Sequence, residues 1–329
     1  MDSPTTRRWP RVDRYLLLLI ATVAIAALLP ARGVFAGIAD GAVTVAVAVL
    51  FLLYGARLAP EAIWAGLTHW RLQALVFAST FVLFPLIGIA VAAATRSVLP
   101  APAVTGLLFL TLLPSTVQSS IAFTSIARGN VPAALCSASL SNLIGTLLTP
   151  LLVARLMPAA SGGVSLAALE EIAVQILLPF VVGQALRPLI GGWLMRHPRL
   201  TATVDRGSVL VVVYAAFSAG MVAGIWTQVS LLDLLLIVAV ACVMLAIVIG
   251  ATRFASRALG FTTEDEIAIV FCGSKKSMAS GIPMAAILFP AASVGLIVLP
   301  LMLFHQIQLF VCAVLARRYA ERPVTVTDS

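Results

Sequence analysis

Two adjacent lysines, Lys275 and Lys276, sit inside the apolar run EIAIVFCGSKKSMASGIPMAAILFP, which is long enough to cross a bilayer. Charge at that depth costs several kcal/mol, so it is functional by default. The pair lies about ten residues beyond Glu264-Asp265-Glu266, too deep for the side chains to snorkel to the interface. Around them Gly273, Ser274, Ser277 and then Ser280-Gly281-Ile282-Pro283 interrupt the apolar pattern. A second run, AVTGLLFLTLLPSTVQSSIAFTSIARGN, is interrupted in the same way by Pro114, Ser115, Thr116, Val117, Gln118, Ser119 and Ser120, with Thr124 one turn further on. Pro114 removes a backbone donor, and the hydroxyls offer partners to the carbonyls so freed. Either segment alone also reads as a kinked helix whose hydroxyls bond to their own turn. Together they point to a site near the bilayer midplane, because non-helical backbone at that depth is tolerated only where it is buried in protein or lines a watery cavity. The chemistry is ligand coordination. Half-helix N-termini and two ammonium groups create positive potential, so the expected partner is a small organic anion.

Other polar residues are fewer. Ser137, Ser139, Ser141 and Asn142 form a stripe ending at Thr149-Pro150; close helix packing accounts for the small ones, whereas a buried Asn142 amide needs partners. His305, Gln306 and Gln308 lie near the middle of a later run, where a single histidine reads as a structural hydrogen bond. The four cysteines, Cys136, Cys242, Cys272 and Cys312, all lie in apolar stretches without a CxxC pair, and read as small buried hydrophobes. Asp40, Glu170, Glu171 and Asp233 fall near the ends of apolar runs, so no midspan carboxylate serves as a proton relay. No phosphate-binding loop, metal-ligand motif, nucleophile elbow or acid–base pair is present. The expectation is therefore no enzyme, no metal centre and no resident cofactor.

The elements that must position these residues are membrane helices. Apolar residues make up 61% of 329 and charged residues 10%, more apolar surface than a soluble domain could hide. Apolar runs predict ten spans, at 14–30, 38–57, 71–94, 103–127, 131–157, 166–188, 206–226, 229–252, 265–289 and 293–316. Arg7, Arg8, Arg11 and Arg14 before the first run, and Val34-Phe35-Ala36 after it, resemble a signal peptide. Cleavage would leave nine spans and spoil the charge balance, so the run is read as a mature first helix. With the N-terminus in the cytoplasm, 16 arginines fall inside and only Arg32, Arg96 and Arg155 outside. The net charge of +8 thus follows the positive-inside rule and implies no nucleic acid. Both termini are expected in the cytoplasm and the protein in a bacterial inner membrane. Residues 1–13 and 317–329 form cytoplasmic tails. Residues 14–157 and 158–316 form two five-helix repeats of opposite orientation, each broken in its fourth helix.

The chain resembles the bile acid:sodium symporter superfamily, in the branch with a GSKKS-type ninth helix. The resemblance covers nearly the whole chain and rests on PSTVQSSIAFTSIARGN at 114–130, SNLIGTLLTPLL at 141–152, LPFVVGQALRP at 178–188 and FCGSKKSMASGIPMA at 271–285. It implies an all-α polytopic protein of ten helices in two inverted repeats, with discontinuous helices four and nine crossing. Spans three to five and eight to ten would form a core, and the rest a panel. It also implies candidate sodium ligands at Ser119, Ser120 and Asn142. Where the family carries a helix-nine carboxylate this chain has Phe271, where it carries a glutamine four residues on this chain has Lys275, and a helix-three glutamine falls on Thr80. Sodium as coupling ion is therefore left open. The reading is a secondary transporter working by alternating access, with a channel or a non-transporting membrane regulator on the same fold as the alternatives. Lys275 is expected to act as an internal cation toward the freed carbonyls and Lys276 to face substrate. Substrate identity, stoichiometry and oligomeric state are open.

Overall fold

A computed structural model describes residues 14–57, 69–157, 173–224, 227 and 229–322. The described residues are helical, without a strand. In chain order the helices are α1 (Arg14–Leu28), α2 (Val34–Arg57), α3 (Trp70–Thr95), α4 (Ala101–Thr111), α5 (Val117–Ile126) and α6 (Val131–Leu156). They continue as α7 (Val174–Arg196), α8 (Pro198–Val222), α9 (Leu231–Ala258), α10 (Thr263–Gly273), α11 (Met278–Leu288) and α12 (Ala291–Ala320). Seven of them, α2, α3, α6, α7, α8, α9 and α12, are long and apolar enough to cross a membrane. Leu28, Val34 and Phe254 leave most of their side-chain surface exposed, as lipid permits. Residues 1–13, 58–68, 158–172 and 323–329, and with them Glu170, Glu171 and most of both expected tails, lie outside the described residues.

The two interrupted runs are each a pair of helices. α4 ends at Thr111 and α5 begins at Val117; α10 ends at Gly273 and α11 begins at Met278. Both breaks are narrower than the polar stretches suggest. Gln118, Ser119 and Ser120 already belong to the first turn of α5, and Ser280 to Pro283 lie within α11. The reason is local: Ser277 caps α11 by accepting from the Ser280 N–H at 3.2 Å, so the helix starts as soon as the break permits. The expected loop over 189–205 is instead almost wholly helical. Pro198 starts α8 in the first-turn position, where its missing N–H is no loss, and only His197 separates α8 from α7.

The helices pack in two groups. α2 lies against α7 and α8, with α1 against α8; α3 to α6 pack with α9 to α12, and α8 reaches across to α11 and α12. The α2–α7 contact is made by backbone. A Cβ on Gly55 would run into the Phe180 carbonyl oxygen, and one on Gly183 into that of Leu52. At one end of the second group the basic residues find acids. Glu266 accepts from Arg253 at 3.2 Å and from Arg257 at 2.7 Å, and Arg322 joins Glu264 at 2.8 Å.

Candidate functional site

The two breaks meet. The Ser277 N–H donates to the Pro114 carbonyl at 2.8 Å, and Thr116 Oγ1 donates to the Lys276 carbonyl at 3.0 Å, across some 160 residues of sequence. A helix that stops leaves its last carbonyls without partners, and burial makes that costly. At the end of α10 hydroxyls supply them. Ser120 Oγ donates to Phe271 O at 3.0 Å, Ser115 Oγ to Cys272 O at 2.6 Å, and Ser79 Oγ to Gly273 O at 2.9 Å, while Ser274 Oγ adds a second bond, at 2.6 Å, to Val270 O, which already accepts the Ser274 N–H. At the end of α4, Thr149 Oγ1 takes Leu112 O at 2.8 Å. The Lys276 ammonium takes Thr111 O at 2.8 Å and Leu113 O at 2.7 Å, and also Thr80 O of α3 at 2.8 Å.

Neither lysine takes its expected place. Lys276, not Lys275, reaches the freed carbonyls, and neither is among the residues that line the cavity beside Asn142. The Lys275 ammonium, also fully buried, lies 4.2 Å from the centroid of the Phe123 ring and 5.4 Å from that of Phe271, with one long hydrogen bond to Ser119 Oγ at 3.5 Å. The cause is the non-helical backbone of the break: helix spacing no longer governs where neighbouring side chains point, and these two diverge. Phe271, at the place where the family resemblance puts a carboxylate, is one of two aromatic rings beside the cation.

Asn142 joins the two breaks from α6. Its Nδ2 donates to Ser115 O at 2.7 Å, and its Oδ1 accepts from Ser280 Oγ at 2.9 Å. Beside it lies a cavity of about 620 Å³. Thr116, Gln118, Ser119, Asn142, Ser277 and Ser280 line one wall, at the N-terminal ends of α5 and α11. Tyr54 and Arg57 of α2, Asp205 and Arg206 of α8, and Tyr15 of α1 line the facing wall. Thr80, Pro114, Ser115, Ser120, Gly273 and Ser274 lie behind the cavity, in the packing of the breaks. Thr124 and Ser137 are buried with hydroxyls that have no partner. No side-chain hydrogen bond caps the start of α5, whose first residues Val117, Gln118 and Ser119 line the cavity.

The sequence model of the SBF-like CPA transporter family matches residues 13–321. The chain belongs to that family. It is a transporter of the bile acid:sodium symporter superfamily, an integral membrane protein and not an enzyme, as its sequence led us to expect. It is 53% identical over 308 residues to the putative symporter YfeH of Escherichia coli (strain K12), covering 94% of this chain and 93% of that protein. It is 54% identical over 312 residues to the uncharacterized protein PA2026 of Pseudomonas aeruginosa, covering 94% and 93%. Sodium/bile acid cotransporter 7 of Rattus norvegicus is 26% identical over 315 residues, covering 93% and 92%.

Some of the residues that line the cavity or hold the breaks carried no sequence signal of their own. Tyr54, Arg57, Asp205 and Arg206 sit at the ends of α2 and near the start of α8, where basic residues read as topology markers. Asp205 and Arg57 form an ion pair at 2.9 Å. Ser79 carried a faint signal, a hydroxyl beside Thr80 in an otherwise apolar run. Gln308 had been read only as a midspan polar residue. It clamps the break, accepting from the Lys276 N–H at 2.9 Å and donating to the Lys276 carbonyl at 3.0 Å.

Proposed function

We propose that this protein is a secondary active transporter that moves a small organic anion by alternating access, with the 620 Å³ cavity as its substrate site. The observation that carries this reading is the wall of that cavity: α5 and α11, the second halves of both broken runs, begin there, and helix N-termini attract negative charge. Arg206 on the facing wall, beside the Arg57–Asp205 ion pair, adds a cationic partner, and the volume lies within the usual range for small-molecule sites. In this reading α4 with α5, and α10 with α11, are the fourth spans of two inverted five-helix repeats, giving ten spans with both termini in the cytoplasm of a bacterial inner membrane. The group containing α1, α2, α7 and α8 would move against the rest, opening the cavity to either side.

Transport is proposed to be independent of sodium. Of the positions where the resemblance puts sodium ligands, Ser120 donates to Phe271 O and Asn142 bridges Ser115 and Ser280, so both are engaged within the chain. The test is uptake of a panel of organic carboxylates and sulfonates into proteoliposomes, with sodium replaced by choline in half the samples. Saturable uptake of at least one anion, unchanged in choline and lost in Gln118→Leu, is expected. Conductive flux without saturation would favour a channel. Uptake restricted to cations would refute the reading.

A further inference from the structure

The carbonyls that meet Lys276 are orphans for identifiable reasons. In α3 a π-helical turn over Ser79–Leu83 sends the Phe84 N–H to Ser79 O, and Pro85 has no N–H to offer, so Thr80 O lacks a backbone donor. In α4 the residue that would bond Thr111 O is Ser115, whose N–H goes instead to Ser141 Oγ at 3.0 Å. Leu113 stands inside the break, immediately before Pro114. Three carbonyls, one from α3, one from the end of α4 and one from the break after it, thus converge on one buried point at 2.7–2.8 Å from a single nitrogen. That is a cation site by its donor set, since carbonyl oxygens have only negative ends to present.

We propose that this cation site is permanently filled by the chain itself, the Lys276 ammonium serving as a tethered cation, and that a free monovalent alkylammonium takes its place when the side chain is shortened. An ammonium has three donors and no lone pair, so three acceptors fit the charged form. A neutral amine would turn its lone pair toward one of the carbonyls. The Phe84 ring covers the ammonium, its centroid 4.2 Å away, and Phe81 lies at 5.9 Å. Gln308 of α12 holds the Lys276 backbone from both sides, so the tether is rigid at its root as well as its tip. Among the described residues no carboxylate shares the cage. The acids of α10 are engaged at its start, Glu264 with Arg322, Asp265 with Asn130, and Glu266 with Arg253, Arg257 and Tyr319. Lys275 lies beside its own two aromatic rings.

This inference does not depend on what is transported, and its test reads stability. Lys276→Ala removes Cγ to Nζ and leaves a space shaped for n-propylammonium; Lys276→Met fills much of that space without charge. Both variants are expected to melt several degrees below wild type. n-Propylammonium present throughout purification should restore most of the loss in Lys276→Ala, saturably, while leaving wild type and Lys276→Met unmoved; 1-propanol should restore nothing. A Lys276→Met protein as stable as wild type would overturn the proposal, as would a Lys276→Ala protein that ignores propylammonium or responds equally to propanol. If neither variant folds, protein that keeps Lys276 decides. Its only lysines are Lys275 and Lys276, so protein labelled with ¹⁵N at lysine Nζ gives two signals by solid-state NMR. At about pH 8, below the ordinary lysine pKa, an ammonium signal that survives Lys275→Met supports the tethered cation. A neutral amine there refutes it.

Discussion

Asn142→Leu tests whether the two breaks are held together by one amide. The substitution keeps the volume and removes the two hydrogen bonds that reach the breaks, to Ser115 O at 2.7 Å and from Ser280 Oγ at 2.9 Å, together with a long one at 3.4 Å to Ala138 O in its own helix. Interhelical hydrogen bonds in membrane proteins average about 0.6 kcal/mol and reach about 1.7. Ser280 keeps its contact with Ser277 Oγ at 3.0 Å, but the Ser115 carbonyl is left without this partner, which adds a desolvation cost. Asn142 borders the cavity, so water can offset part of that cost. The expected loss is about 1–3 kcal/mol, a roughly 5- to 150-fold shift in the unfolding equilibrium. Equilibrium unfolding by SDS in bicelles measures it. A double-mutant cycle with Ser280→Ala isolates the direct contact and should return about 0.6 kcal/mol of coupling. A stability change within about 0.3 kcal/mol, or a strictly additive cycle, would show that the amide bridges nothing.

Three further outcomes are expected. Gly55→Leu and Gly183→Leu should each abolish a monodisperse peak in size-exclusion chromatography, because their side chains would meet backbone oxygens of the opposing helix. Gly37→Leu and Gly41→Leu, where nothing lies within 4 Å, should leave it intact. Glu266→Gln should lower stability by about 2 kcal/mol in thermal melts, since this buried carboxylate holds Arg253, Arg257 and Tyr319 together. Glu264→Gln, whose exposed carboxylate holds Arg322 alone among basic groups, should change it by less than about 1 kcal/mol. In a background without Cys136, Cys242, Cys272 and Cys312, a single cysteine at exposed Thr203 should be labelled by an impermeant probe only from the cytoplasmic side; labelling from outside in intact cells would reverse the topology.

Much of this protein is written in its one-dimensional pattern. Long apolar runs force helices wherever lipid is the solvent, because no water is present to satisfy a stray peptide group. The two breaks were legible for the complementary reason. Proline and clustered hydroxyls have no business in a lipid-facing run, and the partners they demand had to be elsewhere in the fold. The identity of the polar break residues was therefore visible, and so was the need of the Asn142 amide for a partner.

Which partner each group found was decided only by the tertiary structure. Ser115, Ser120 and Ser79 cap carbonyls of α10 that lie more than 150 residues away in sequence. Composition and spacing carry no record of that register. The loop expected over 189–205 became helix because a proline at a helix start is as acceptable as one in a turn, and packing chose between them. The α2–α7 contact needs Gly55 opposite Phe180 and Gly183 opposite Leu52, a match between two surfaces that neither sequence segment contains alone. The lysines show the division most clearly. Adjacent charges in a midspan break announce a cation at the crossing. Lys276 fills the carbonyl cage because a π-turn in α3, the end of α4 and the non-helical backbone after Gly273 converge on one point, and that convergence exists only after the chain has folded.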